Sequence, residues 1–121
     1  MFELQNIERG KVNWIQVNQG HHFIAGPGHH VIASDSAFVI ANLGSVVVGF
    51  ATSKVTADYG SKVLGHVGSS IIAKEGSEVV AEAGCTVTVF RGATVWIYPG
   101  TIVINNGGTI RMMEAPIAVQ A

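Results

Sequence analysis

The 121 residues suffice for one domain, and a net charge of -1 with only 12% charged residues gives no basic footprint for nucleic acid or an anionic membrane. One cysteine, Cys85, excludes a disulfide within the chain. The start MFELQNIERGK lacks a signal-peptide apolar run, and no stretch is long and apolar enough for a membrane helix, so a cytoplasmic or virion-associated protein is expected.

In chain order, residues 1–11 show no repeat and are expected to form an N-terminal cap. From Val12 the chain counts in eights: VNWIQVNQ, GHHFIAGP from Gly20, GHHVIASD from Gly28, SAFVIANL from Ser36, GSVVVGFA from Gly44 and TSKVTADY from Thr52. The array continues as GSKVLGHV from Gly60, GSSIIAKE, GSEVVAEA, GCTVTVFR from Gly84, GATVWIYP, GTIVINNG from Gly100 and GTIRMMEA from Gly108. Residues 12–115 are one repeat array, and residues 116–121 follow it as a tail.

Position 4 of each octad is apolar from Ile15 and Phe23 through Val63 and Val79 to Val103, and fails at Arg111. Position 6 is small from Ala25 to Ala81 and then enlarges to Val89 and Ile97, while position 2 holds Ser45, Ser53, Ser61, Ser69, Ser77, Cys85 and Ala93. Positions 3 and 7 carry the charges Lys54, Lys62, Glu78, Asp58, Lys74 and Glu82. Even positions in and odd positions out is the alternation of a strand, and glycine at position 1 supplies a corner. A helix would need a period of three and four and would be weakened by each glycine. An antiparallel meander does not require successive strands to be equivalent, whereas a solenoid does.

The fold class is therefore all-β: a single-domain parallel β-solenoid, or β-helix, of octad repeats. Position 3 resembles itself in twos, as in His22 and His30 or Lys54 and Lys62, which favours two octads per coil. That spacing stacks Lys62 on Glu78 and Asp58 on Lys74. Three octads per coil is the rival, in which Lys54 stacks on Glu78.

On Val47-Val48-Gly49 and Val63-Leu64-Gly65 the repeat resembles the octapeptide β-helix of bacteriophage cell-puncturing spikes. On Ser61-Lys62-Val63-Leu64-Gly65 it is also similar to the flattened β-roll of grass antifreeze proteins. Both resemblances imply architecture and not a shared function. Alanine at position 6 departs from the spike pattern, and no regular outward threonine ladder supports ice binding.

The histidine block GHHFIAGPGHH, residues 20–30, invites a metal, but His21 and His29 fall at inward position 2 and His22 and His30 at outward position 3. Neighbouring rings then diverge along the strand, and no metal or other cofactor is expected. Cys85 replaces a serine and reads as a small core residue; the carboxylates scatter over corners and outward positions, so no catalytic residues are expected.

Position 5 should face outward, yet it is mostly large and apolar. Ile24, Ile40, Ile72 and Ile104 would line one face and Leu64, Val80 and Trp96 the other, as interfaces for self-association into a dimer or trimer. A kink that turns position 5 inward is the alternative. Phe90, Trp96 and Tyr98 form a late aromatic group that also needs cover. The expected function is a non-enzymatic rigid structural or interaction module, a phage or bacterial accessory protein by its spike resemblance. The alternative is a small inhibitor or immunity-like protein that presents one flat face to a larger protein.

Overall fold

The computed structural model describes residues 14–112. They form thirteen strands: β1 (Trp14–Val17), β2 (His22–Ala25), β3 (His30–Ala33), β4 (Phe38–Ala41), β5 (Val46–Gly49), β6 (Lys54–Ala57), β7 (Lys62–Gly65), β8 (Ser70–Ala73), β9 (Glu78–Ala81), β10 (Thr86–Phe90), β11 (Thr94–Ile97), β12 (Ile102–Asn106) and β13 (Thr109–Met112). Odd strands make one seven-stranded parallel sheet and even strands a six-stranded one. Partners through the array lie sixteen residues apart, as in Val63 with Val79 and Val55 with Ile71, so one coil is two octads. The expected N-terminal cap at 1–11 and the tail at 116–121 lie outside the described residues.

Each corner follows from its sequence. Between β6 and β7, the Ser61 N–H donates to the Asp58 carbonyl at 3.1 Å, closing a four-residue turn with Gly60 at its third position and φ +79°. That is a type II turn, which requires a left-handed residue there. The buried Ser61 hydroxyl donates to the same carbonyl at 2.7 Å, and Ser45, Ser53, Ser69 and Ser77 repeat the bond at 2.6–2.7 Å. A polar residue is thus accommodated in the core because its own corner satisfies it. Corners also bond to one another: Gly44, Gly60 and Gly76 donate to the carbonyls of Gly60, Gly76 and Gly92 at 2.9–3.1 Å.

The core is a single layer between the sheets. Position 4 from Val31 to Val95 is at most 1% exposed, and the alanines of position 6 are fully buried. Strand burial alternates, as in Phe38–Ala41 and Ser70–Ala73, where the first and third residues are exposed and the others buried. Position 5 therefore points outward, and the inward kink does not occur in these strands.

The last coil departs from an unbroken count in eights. β11 pairs with β13 at a spacing of fifteen: Val95 meets Ile110, and Trp96 meets Arg111. Arg111 is accordingly exposed on the outer face, and Ile110 takes the inward place and packs on the core. The missing residue is absorbed at Asn106, Gly107 and Gly108, where Asn105 Oδ1 accepts the N–H groups of Gly107 and Gly108 at 3.0 and 2.9 Å. Gly108 fits there because any side chain would run into Val89 Cγ1 and the Phe90 carbonyl.

Candidate functional site

The outer faces of the two sheets hold the candidate residues, and they differ in chemistry. On the seven-stranded sheet, position 3 carries Lys62 and Glu78, whose Nζ and Oε1 are 3.8 Å apart, both about half exposed. At position 7, His66 Nδ1 lies 2.7 Å from Glu82 Oε1, and the His66 ring stacks on Phe50 with centroids 4.6 Å apart at 19°. An exposed ion pair such as Lys62–Glu78 contributes little stability, on the order of 0–1 kcal/mol, but its two charges occupy each other. Between these columns, Leu64 and Trp96 are half-buried, while Val80 is 4% exposed and Val48 8%. Each valine sits in register between larger neighbours, Val80 between Leu64 and Trp96. Val80 thus offers almost none of this face to a partner.

The six-stranded sheet is more apolar. Its central column places Ile24, Ile40, Thr56, Ile72, Thr88 and Ile104 in line across six strands. The four isoleucines are 64%, 38%, 40% and 50% exposed. Phe38 beside them is also exposed, with His22 tilted against its ring at 5.1 Å and Lys54 Nζ over it at 5.7 Å. A shallow depression of about 140 Å³ is lined by His22, Phe23, Ile24, Phe38 and Ile40. Asp58 and Lys74 lie along one border of this sheet in adjacent coils and, unlike Lys62 and Glu78, make no ion pair among the described residues.

The structure separates Phe90 from Trp96 and Tyr98, the other late aromatic residues. Trp96 in β11 belongs to the seven-stranded sheet and Phe90 ends β10 in the six-stranded one, so they do not form one cluster. Adjacent octads always lie on opposite sheets, which overrides nearness in sequence.

The histidines also depart partly from the simple parity. His21, at an inward position, is exposed, and His29 is half-buried with Nδ1 accepting the Gly26 N–H at 2.8 Å. An imidazole is too large for a slot that serine or alanine fills in the inner coils. His30 packs against Trp14 in a T-shaped contact on the seven-stranded sheet, whereas His22 lies on the other. Among the described residues, no three of the histidine, cysteine, aspartate or glutamate side chains converge as metal ligands. Cys85 is fully buried, and burial pushes its thiol pKa up, with a smaller opposing contribution from the Ser69 hydroxyl. A neutral, inaccessible thiol is a poor nucleophile.

The outward apolar parity of the sequence marks the isoleucine column but not Phe38 and Ile102 beside it, nor the Phe50, His66, Glu82 column on the opposite sheet. Both were signalled by the sixteen-residue spacing that pairs Lys62 with Glu78. Comparison with protein-family models, curated proteins and solved structures gives no match.

Proposed function

We propose that this protein is a non-enzymatic, rigid structural and protein-interaction module that works as a homo-oligomer. The observation that carries this reading is the outward central column of the six-stranded sheet, where four exposed isoleucines, with exposed Phe38 and Ile102 beside them, are interrupted only by Thr56 and Thr88. Contiguous exposed apolar surface of that extent marks a partner surface in a soluble protein. Against catalysis stand the short corners, which among the described residues carry no inserted loops to wall a pocket, and the buried neutral Cys85. A phage or bacterial accessory role is proposed only as one setting for such a module, since the resemblance to phage spikes is one of architecture, and the weak net charge argues against nucleic acid or membrane as the partner.

The test is the mass of the purified chain by light scattering at tens of micromolar. A dimer or trimer is expected. A chain that stays monomeric and instead captures one soluble protein would be the small inhibitor or immunity-like binder, and the homo-oligomeric reading would be abandoned.

A further inference from the structure

Given that self-association reading, on which this inference rests, we propose that the occupant of the six-stranded face is a second copy of the chain. The copies form a two-fold pair whose axis runs along the column Ile24, Ile40, Thr56, Ile72, Thr88 and Ile104. The coils of the two copies then run in the same direction, and each strand lies over its own counterpart with reversed polarity.

The choice of sheet rests on charge. Positions 3 and 7 lie symmetrically about position 5, each about 6.7 Å away along the strand. A two-fold axis along position 5 therefore sets position 3 of one copy over position 7 of the other on the same strand. On the six-stranded sheet this places Lys54 over Asp58 of the second copy, twice by symmetry, and among the described residues neither is tied up in an ion pair within the chain. The same operation on the seven-stranded sheet would set Glu78 over Glu82 of the second copy, twice, opposing like charges and disturbing the Lys62–Glu78 and His66–Glu82 pairs. The first face attracts its own copy, and the second repels it.

The direction of the coils rests on side-chain matching. With coils aligned, isoleucine meets isoleucine at Ile24, Ile40, Ile72 and Ile104, and the hydroxyls of Thr56 and Thr88 meet their own counterparts. With coils opposed, Ile40 would face Thr88 and Ile72 would face Thr56, burying hydroxyls against apolar surface without a partner. The area is adequate for association. Six strands spaced about 4.8 Å, each about five residues wide from position 3 to position 7 at about 3.3 Å, project to a face of roughly 500 Å². The protruding isoleucines raise the accessible area above that projection, toward the low end of the roughly 600–1,000 Å² per partner found in specific interfaces.

The experiment uses the whole chain and three kinds of variant, with circular dichroism to verify the fold of each. Ile72→Lys is expected to convert the dimer to monomer in sedimentation velocity, while Leu64→Lys on the opposite sheet leaves the dimer in place. Lys54→Asp alone should weaken the dimer by about tenfold or more, and Lys54→Asp with Asp58→Lys should restore it. Ile40→Cys should be captured as a covalent dimer by a short-arm bis-maleimide, with the parent chain as control because Cys85 is buried.

A monomeric parent chain would remove the self-association reading itself. A dimer broken by Leu64→Lys and not by Ile72→Lys would leave that reading standing and overturn this one. Failure of the Ile40→Cys variant to cross-link, together with restoration by Asp58→Lys combined with Lys74→Asp, would establish opposed coils and overturn the aligned arrangement.

Discussion

The single-layer core makes a sharp claim about two residues. Gly65 and Ile71 share one coil, in β7 and β8 on opposite sheets, and Ile71 stands where the coils on either side carry Val55 and Val87. A Cβ added at Gly65 would overlap Ile71 Cδ1 and lie 2.9 Å from Cys85 Sγ and 3.0 Å from Ser69 Oγ. The extra methyl of Ile71 occupies the volume that alanine fills at position 6 of most other coils. Gly65→Ala alone should therefore overpack the core at about 1–3 kcal/mol, offset by about 0.5–1 kcal/mol from the lower entropy of the unfolded chain. Ile71→Val alone should cost about 1 kcal/mol. Combined, the two exchange one methyl for another across the coil and should be destabilised by no more than about 1 kcal/mol, a favourable coupling of about 1–2 kcal/mol. Gly49→Ala serves as the control, because its new Cβ meets Ser53 Oγ at 3.0 Å and Val55 Cγ2 at 3.3 Å with no overlap like that on Ile71, and it should be close to neutral. Urea unfolding followed by circular dichroism gives all four free energies. Additivity of the two single changes within about 0.5 kcal/mol would refute the shared-volume argument.

The remaining expectations follow from the same geometry. Val79→Asp places an unpaired charge at a fully buried position and should unfold the array, with a loss above about 4 kcal/mol, whereas Lys62→Asp should shift the thermal midpoint by only a few degrees. Equal melting of the two would contradict the inward and outward assignment. Thr52 is β-branched at φ +67° in a corner where most other coils use glycine, so Thr52→Gly should stabilise by about 1 kcal/mol in urea unfolding, and a net loss would show that the Ser36 N–H bond to Thr52 Oγ1 at 3.0 Å outweighs the strain. Because folding raises the Cys85 pKa, it favours the neutral thiol; that contribution is complete below the ordinary thiol range and is lost as pH rises through the raised value. The parent should thus lose more stability in mild alkali than Cys85→Ser, which five other octads show to be compatible with the corner, and parallel pH profiles of the two would count against the burial argument.

Most of the architecture was legible because the repeat states it many times over. The glycine corners, the position 4 valines and the Lys62–Glu78 stack each follow from period and parity. The function of the buried serines was not legible: small size at position 2 is plain in the sequence, but the bond to a carbonyl three residues back depends on the turn that places both groups. Arg111 was misplaced by counting in eights through a coil that is one residue short, and the doubled glycine at Gly107 and Gly108 was the available sign. Val80 shows a different limit. Its parity is outward, but exposure depends on relative size along the column, and Leu64 and Trp96 at sixteen residues on either side are both larger.

The two periods of the molecule are unequal, and this bears on how such a chain can lengthen. Inward residues repeat every octad because both sheets contribute alike to the core, whereas the outward chemistry belongs to a particular sheet and repeats every second octad. Gain or loss of a sixteen-residue unit keeps every downstream residue on its own face. Loss of a single octad, such as residues 68–75, would leave the core pattern in step while moving everything beyond it to the other face. Glu78 would then sit on Lys54, Val80 on Thr56, and Leu64 on Thr88. An octad is interchangeable to the interior and a frameshift to the surface, so a lineage that selects on the surface is confined to growing by pairs.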